Sequence, residues 1–364
     1  MKPRERVMMA LNRQEPDRCP LQIGFTPEFA TRLRESMKLG TSTEHNPHGG
    51  GNTYELERAL GEDVLLTSVG WANSYYGGGK EYTDEWGIGW KSIPYTTKFG
   101  NGRYTDIVHR PLADDKAVEN YRPPDPHRPE LYVEAARTLR DFKDQYWIVG
   151  VTVTTIFETA IGLRSLEQLV SDFILDPERA EQVLEFPYQF HLAAAKKLTE
   201  MGVDMIWIGD DVGTQRAMMI SPAHWRQFLK PKLATFISEV KAINPAVKVA
   251  YHSDGVIDPI VPELVEIGLD ILNPIQPACV DPEKVKREFG DKICFWGSID
   301  EQYTLPFGTP DDVRKEVLNR LKTIGKGGGL ILAPSHHVQL DTPLENFWAM
   351  VHTVKETSYA SLRN

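Results

Sequence analysis

Short apolar runs recur along the chain and alternate with segments of helical spacing. The runs are nearly continuous, as expected for strands that are buried on both faces of a parallel sheet. Eight of them have the length of a strand: Pro20–Phe25, Asp63–Ser68, Trp147–Val153, Asp204–Ile208, Val247–His252, Leu269–Asn273, Ile293–Gly297 and Gly329–Ala333. Such alternation with short connections is typical of right-handed βα units. The pattern therefore predicts an α/β fold, a closed (β/α)8 TIM barrel.

Residues 69–125 interrupt this alternation. They contain glycine-rich turns, alternating aromatic residues and a proline-rich stretch. We interpret them as a small antiparallel hairpin insertion, with Asn101-Gly102 as its tight turn. Because no low-complexity linker divides the chain, we expect one domain over residues 1–364 with an insertion at about 69–125.

Composition narrows the class of protein. The chain has 364 residues, 41% of them hydrophobic and 25% charged, which predicts a globular protein with a sizeable core. A net charge of −10 and the absence of a basic stripe argue against nucleic-acid binding. There is no apolar signal segment and no apolar run long enough to span a membrane. Three widely separated cysteines suit a reduced protein. We therefore expect a cytoplasmic enzyme with no membrane partner.

Polar side chains follow consecutive predicted strands where those strands end. The active site of a (β/α)8 barrel is built from the loops after the strands, so these side chains are expected to gather at one mouth. The candidates are Glu158, Asp210, Asp211, Gln215, His252, Asp254, Asn273, Gln276, His336 and His337.

Three of these residues suit a metal ion. His252 and Asp254 stand two residues apart at a strand end, and His336 follows the last strand. Together they offer nitrogen and oxygen ligands of the kind that zinc accepts, with a position left open for substrate. The alternative is a hydrogen-bonded polar layer that holds no metal.

The remaining candidates each have a chemical and a structural interpretation. Of Asp210 and Asp211, one is expected to be buried against backbone amides and the other to face the mouth, or both to cap a helix. Glu158 suits metal binding or acid–base catalysis, or simply begins a helix. Gln215 suits a substrate carbonyl, or a loop. We assign catalytic roles to Glu158, Asp211 and Gln215 and substrate binding to Asp210, Asn273, Gln276 and His337.

Several segments resemble the uroporphyrinogen decarboxylase superfamily. They are RERVMMALNRQEPDRCP, GDDVGTQRAMMISP, YHSDGVIDPIVPELVEIGLDILNPIQ, FWGSID and LILAPSHH. The resemblance covers nearly the whole chain and implies a (β/α)8 barrel. True decarboxylases carry an arginine-rich segment resembling MRQAGRY, and here LQIGFTPEFATRLRE takes its place. Decarboxylation of uroporphyrinogen is therefore not expected.

The other branch of the superfamily contains zinc-dependent methyltransferases that work with corrinoid proteins, and related O-demethylases. Their pattern is His-x-Cys after the fifth strand and a further Cys after the eighth. By resemblance, His252 matches the histidine, while Asp254 and His336 stand where the two cysteines would be. Both replacements are accepted zinc ligands, but they make the predicted site harder and less thiophilic.

This resemblance leads to a specific prediction. We expect zinc on His252, Asp254 and His336 and a methyl group that moves from a small methylated substrate to a corrinoid carried by a partner protein. The alternatives are a cofactor-free decarboxylase that uses Asp211 and His252 as its acid and base, and a non-enzymatic corrinoid- or tetrapyrrole-binding protein. The sequence also allows a homodimer.

Overall fold

The computed structural model describes residues 1–40, 45–46, 52–69 and 81–363. The strands are β1 (Val64–Ser68), β2 (Tyr82–Thr83), β3 (Gly89–Thr97), β4 (Gly100–His109), β5 (Trp147–Val151), β6 (Met205–Gly209), β7 (Lys248–His252), β8 (Ile271–Asn273), β9 (Cys294–Ile299) and β10 (Leu330–Pro334). The shorter helices are three 3-10 segments, Pro129–Tyr132, Asp258–Ile260 and Tyr359–Arg363, and a π-helical segment, Trp225–Leu229.

The α-helices lie between and around these strands. They are α1 (Pro3–Leu11), α2 (Pro27–Ser36), α3 (Glu55–Leu60), α4 (Asp115–Asn120), α5 (Val133–Phe142), α6 (Phe157–Arg164), α7 (Leu166–Leu175), α8 (Pro177–Met201), α9 (Pro222–His224), α10 (Lys230–Ile243), α11 (Val261–Glu266), α12 (Pro282–Phe289), α13 (Thr304–Phe307), α14 (Pro310–Lys322) and α15 (Leu344–Glu356). Among the described residues, no helix combines the length and the apolar character needed to cross a bilayer.

Seven of the eight predicted strands form one parallel sheet. Its order is β1-β5-β6-β7-β8-β9-β10, so neighbours in space follow one another along the chain. The ladders place the strand ends in register, with Gly209 opposite His252 and His252 opposite Asn273. The carboxyl ends of β6, β7 and β8 therefore lie side by side at one edge of the sheet.

The first predicted strand differs from the prediction. Residues 20–25 touch β10 through an isolated parallel bridge between Leu21 and Leu332 and do not form a regular strand. On the other side, the backbone N–H of Asp63, just before β1, donates to the carbonyl of Leu21 at 2.8 Å. The segment thus links both edges of the sheet, but the described ladder has seven strands and is not the closed eight-stranded barrel that the pattern predicts.

Two buried carboxylates explain why this segment is not a strand. The backbone N–H of Leu21 donates to Asp63 Oδ2 and that of Ile23 donates to Glu62 Oε2, each at 2.9 Å. Side chains therefore accept hydrogen bonds that carbonyls of β1 would accept in a regular ladder. Asp63 also forms ion pairs with Arg6 and Arg18, which compensate its buried charge.

The insertion contains an antiparallel sheet in the order β2-β3-β4. The turn of its hairpin is at Lys98 and Phe99, since Thr97 pairs with Gly100, so the prediction of an Asn101-Gly102 turn is wrong. Gly102 lies inside β4 and faces Tyr95, where a Cβ atom would come within 2.3 Å of the ring. Close packing against an aromatic ring, and not turn geometry, therefore accounts for a glycine at this position.

The two faces of the parallel sheet bury separate apolar layers. Trp147, Met205, Ala250, Ile271 and Trp296 belong to a layer formed largely by the strands themselves. The residues that alternate with them along the strands, such as Ile148, Ile206 and Val249, pack with the helices in a larger cluster. Burial on both faces is the reason the strands read as continuous apolar runs.

Glu62 makes the stability of this fold depend on pH. Its side chain is buried, Oε1 has no hydrogen-bond partner among the described residues, and burial, with the charges of Glu57 and Asp63, raises its pKa well above the ordinary value of 4.5. A carboxyl whose pKa is raised by folding stabilises the protein below its unfolded pKa and loses that contribution as the pH rises through the folded pKa.

We therefore expect Glu62→Gln to gain stability relative to the wild type as the pH rises from about 5 to about 8. Urea unfolding of both proteins across this range measures the difference. Glutamine keeps an acceptor for Ile23 but carries no ionisable proton. Parallel stability curves would show that folding does not raise the pKa of Glu62.

Candidate active site

Six of the ten polar residues predicted from the strand ends line two adjoining clefts. A cavity of about 490 Å³ lies over β6, β7 and β8 and is lined by Trp207, His252, Asn273, His336 and His337, among others. A wider cleft of about 1020 Å³ shares the three histidines and adds Glu158 and Asp211. We call Glu158, Asp211, His252, Asp254 and His336 the mouth cluster.

A close backbone contact brings the loops after β6 and β7 together. A Cβ atom on Gly255 would lie 2.6 Å from the carbonyl carbon of Gly213, so a side chain there would force the loops apart. The backbone N–H of Val256 donates to the carbonyl of Thr214 at 2.9 Å, and that of Val212 donates to Ser253 Oγ at 3.1 Å. The two loops thus act as one unit.

This contact sets the spacing of the carboxylates. The backbone N–H of Asp254 donates to Asp211 Oδ1 at 2.7 Å, and that of Asp211 donates to Glu158 Oε2 at 3.0 Å. Nε2 of His252 lies 3.5 Å from the same Asp211 oxygen. Three carboxylates and an imidazole from β6, β7 and α6 therefore share one small region.

Burial and the charges of neighbouring groups shift the pKa values of Glu158, His252 and Asp254 in the mouth cluster. Burial raises the pKa of Glu158 well above its ordinary value, and the negative charges of Asp211 and Asp210 add to this effect. Burial also raises the pKa of Asp254, against the opposing influence of His252 and His336. For His252, burial lowers the pKa, but the charges of Asp211 and Asp254 outweigh it and the net shift is upward. A cation would relieve this arrangement.

The residues fit a divalent metal ion. One ligand atom each from Asp211, His252 and Asp254 lies within 4.8 Å of the others. Within the described part of the chain, Oδ1 of Asp254 is buried and has no hydrogen-bond partner, which is costly for a carboxylate oxygen. Nitrogen and carboxylate oxygen are the ligands that zinc takes in catalytic sites.

His336, the third predicted ligand, stands slightly apart from this group. Its Nε2 is 4.0 Å from Asp254 Oδ2, its side chain is 42% exposed, and its ring centroid is 6.5 Å from that of His252. The sequence placed Asp211 among the catalytic residues, whereas the geometry puts it within the compact ligand-like group. Asp211 lies in the loop after β6, 43 residues before Asp254. No sequence spacing therefore indicated that it would join His252 and Asp254.

Asp210, predicted to bind substrate, is buried and caps a helix. Its carboxylate accepts hydrogen bonds from the backbone N–H groups of Ile156 and Glu158, each at 3.0 Å. These groups lie at the start of α6, which follows β5, so Asp210 caps a helix from another βα unit. Burial raises its pKa to about 7.

The other predicted substrate-binding residues are held in hydrogen-bond networks. Gln276 is buried and accepts from the backbone N–H of Gly255 at 2.9 Å, while its amide donates to Gln302 at 2.9 Å and to Gln215 at 3.4 Å. Gln215, predicted as catalytic, also accepts from Cys279 at 3.2 Å. His337 lines both clefts.

The sequence did not single out the residues of the insertion that line the cleft. Tyr95, Arg103 and Tyr104 of the hairpin line the wider cleft together with Glu158 and Asp211. Their alternating aromatic pattern marked a strand, but nothing in it indicated that the strand would cross the mouth. A long-range contact of this kind, such as that of the Arg103 N–H with Glu28 Oε1 at 3.0 Å, has no local signal.

The sequence is similar to a known protein family and to enzymes of two kinds, a methyltransferase and a decarboxylase. A family model described as uroporphyrinogen decarboxylase (URO-D) matches residues 95–357. The methylcobamide:CoM methyltransferase MtaA of Methanosarcina barkeri is 29% identical over 192 residues, 53% of this chain and 53% of that enzyme. A uroporphyrinogen decarboxylase of Psychromonas ingrahamii is 22% identical over 268 residues, 69% of this chain and 71% of that enzyme. The chain thus spans about half the length of the M. barkeri relative.

A solved structure shares the fold along nearly the whole chain. A methyltransferase from Methanosarcina mazei superposes with a TM-score of 0.71 at 20% identity, covering 98% of this chain and 99% of that one. The predicted resemblance to the superfamily, and to its methyltransferase branch, is confirmed by these matches.

The capping role of Asp210 can be tested by substitution. Asp210→Ala leaves the first N–H groups of α6 without an acceptor, and we expect a loss of about 0.5–2 kcal/mol of stability. Hydrogen exchange at the amides of Ile156 and Glu158 should accelerate, because they lose their hydrogen bonds. Asp210→Asn retains one acceptor oxygen and should show a smaller change at both amides. Unchanged exchange in Asp210→Ala would contradict the cap.

Proposed function

The chain belongs to the uroporphyrinogen decarboxylase family. We propose that it is a metal-dependent methyltransferase within this family. It would move a methyl group from a small methylated substrate to a corrinoid protein or a similar acceptor. The observation that carries this proposal is the compact group of Asp211, His252 and Asp254, with its buried, unpartnered Asp254 oxygen. Methyltransferases among the relatives support the reaction class.

His252 and Asp254 would hold the metal, with Asp211 beside them and His336 close enough to join as a further ligand. When bound, a divalent ion such as zinc would draw electron density from the heteroatom that carries the methyl group and so make that atom a better leaving group. Nitrogen and oxygen donors make such a site better suited to oxygen or nitrogen than to a thiolate.

Glu158 is placed to manage the proton of the reaction. The methyl group leaves its heteroatom and forms a new bond to the acceptor nucleophile, while the electron pair of the broken bond stays on the heteroatom. Because burial raises the pKa of Glu158 well above its ordinary value, its carboxyl group is better suited than an ordinary glutamate to hold a proton and to give it to that atom. Glu158 and Asp211 both line the wider cleft, so Glu158 is accessible to a substrate bound there.

The hairpin would shape the substrate pocket. Tyr95 and Tyr104 wall the wider cleft and would limit the access of water to the reacting atoms. The acceptor, we propose, is the cobalt of a corrinoid on a separate protein that approaches over the mouth. The name of the M. barkeri relative, a methylcobamide:CoM methyltransferase, supports a corrinoid as one participant in the transfer, although that name gives the methylated cobamide as the methyl donor, the reverse of the direction proposed here.

A cofactor-free decarboxylase remains the second candidate. Its supporting observation is the proximity of His252 and Asp211, which could act as base and acid. The two arginines in the segment where the decarboxylases carry their arginine-rich motif are otherwise engaged, however. Arg32 donates to the carbonyl of Thr342 at 2.8 Å, and Arg34 donates to that of Gly40 at 2.9 Å. A substrate with eight carboxylates would thus find little to pair with there.

The experiment that tests the proposal joins metal content to methyl transfer. Purified wild-type protein should bind about one zinc ion. It should also convert cob(I)alamin to methylcobalamin, followed by visible absorbance, with at least one member of a panel of small molecules methylated on oxygen, nitrogen or sulfur. His252→Ala should lower zinc affinity by about 10-fold or more and reduce the rate of transfer, because it removes the nitrogen ligand.

His127→Ala is the matched control, since His127 is exposed and outside the mouth cluster. It should bind zinc and transfer methyl groups as the wild type does. A metal-free wild type with full activity would end the proposal. Release of carbon dioxide that survives strong chelators would favour the decarboxylase, and a bound pigment without turnover would favour a binding protein.

A further inference from the structure

Asn273 ends β8 beside His252, its partner in the ladder with β7, and is 5% exposed. Its side-chain oxygen accepts a hydrogen bond from Trp207 Nε1 at 3.2 Å, and its side-chain nitrogen donates to the backbone carbonyl of Trp296 at 2.9 Å. The same oxygen lies 2.7 Å from Nδ1 of His252. Every polar atom of the amide therefore has a partner.

These partners leave the amide one orientation. An indole N–H can only donate and a backbone carbonyl can only accept, so the oxygen of Asn273 must face Trp207 and its nitrogen must face Trp296. The oxygen is consequently the atom that meets Nδ1 of His252. Because an amide oxygen cannot donate, Nδ1 must carry a proton for this 2.7 Å contact to be a hydrogen bond.

The proton on Nδ1 decides what His252 presents to the mouth. In the neutral ring, the lone pair is then on Nε2, and Nε2 faces Asp211 Oδ1 at 3.5 Å. The ring of Trp207 meets the imidazole edge to face, at 5.6 Å between centroids and 89° between planes, which limits rotation of the ring. Orientation and tautomer are thus fixed together.

The two tryptophans that fix the amide of Asn273 are themselves held by further contacts inside the sheet. The rings of Trp207 and Trp296 are 4.7 Å apart, and Trp296 Nε1 donates to Gln22 Oε1 at 3.1 Å. Gln22 belongs to the segment that links the two edges of the parallel sheet. The amide of Asn273 is therefore set by a packed layer and not by a mobile loop.

We propose that Asn273 is a positioning residue that holds His252 in the tautomer protonated on Nδ1, so that Nε2 is free to bind a metal ion. The tautomer follows from the hydrogen bonds alone, whereas its use in metal binding rests on the proposed function. This role differs from the substrate binding predicted for Asn273 from the sequence.

The tautomer can be measured directly. Two-dimensional ¹⁵N–¹H NMR of protein labelled at histidine distinguishes protonated from unprotonated ring nitrogens, and a spectrum of His252→Gln identifies the signals of His252. In metal-free wild-type protein, at a pH where the ring is neutral, we expect Nδ1 to be protonated and Nε2 not. Protonation of Nε2 instead would overturn the inference, whether or not the protein binds metal or transfers methyl groups.

Variants then test the positioning role with zinc alone as the probe. Asn273→Leu removes the acceptor at similar volume, and we expect mixed tautomers and a fall in zinc affinity of about 10- to 100-fold by titration calorimetry. Asn273→Asp keeps an acceptor opposite Nδ1 and should keep the wild-type tautomer, with more affinity than Asn273→Leu. This second variant also serves if Asn273→Leu does not fold.

Asn346→Leu is the control for loss of a buried amide. Asn346 donates to the carbonyls of Leu305 and Gly308, and none of its hydrogen bonds among the described residues reaches the mouth cluster. It should change neither the His252 signals nor zinc affinity. A folded Asn273→Leu that binds zinc as tightly as the wild type would refute the positioning role. A wild type with the expected tautomer but no zinc binding would refute the proposed function and leave the tautomer assignment standing.

Discussion

The site depends on the backbone contact between the loops that follow β6 and β7. Gly213 and Gly255 allow these loops to approach more closely than any side chain would permit. As a result, the N–H of Asp254 reaches the carboxylate of Asp211 at 2.7 Å, although 43 residues separate the two in sequence. A larger residue at either glycine would push the two loops apart and separate Asp211 from His252 and Asp254.

Bringing carboxylates together has an electrostatic cost. Glu158, Asp210, Asp211 and Asp254 lie within one region of low exposure, and the pKa values of Glu158, Asp210 and Asp254 are raised, with burial as the largest cause. Helix capping by Asp210 and the N–H donors of the loops offset part of this cost. Among the described residues, Oδ1 of Asp254 is buried and has no hydrogen-bond partner, and a cation is the ligand that suits it.

Much of the fold could be predicted because each buried strand is a short, continuous run of apolar residues in the sequence. Continuous apolar runs located β5 to β10 and β1 to within a few residues, and the residues after them gather at one end of the sheet. Residues 20–25 were predicted as a strand but do not form a regular one, because N–H groups of this segment donate to the side chains of Glu62 and Asp63. The apolar pattern does not reveal hydrogen bonds to side chains so distant in sequence. The turn at Lys98 and Phe99 was missed for a similar reason, since Gly102 serves packing against Tyr95.

The site was predicted less completely than the fold. Spacing indicated that His252 and Asp254 lie close together, and their ligand atoms do so in the structure, while their use as metal ligands stays a prediction. Spacing could not show that Asp211 would lie nearer to them than His336 does, because loop packing decides this. Nor could it separate residues that face the cleft from those that support it. Asp210 and Asn273 are polar at strand ends, as substrate-binding residues are, yet hydrogen bonds to α6 and to the tryptophans hold them in place.

The proposed function requires that Asp211, His252 and Asp254 converge on one cation. Anomalous X-ray diffraction at the zinc absorption edge, from crystals of the protein saturated with zinc, tests it most directly. We expect a single strong peak in the mouth, within bonding distance of Nε2 of His252 and of oxygens of Asp254 and Asp211. No peak there at saturating zinc, or a peak elsewhere with these side chains turned away, would contradict it.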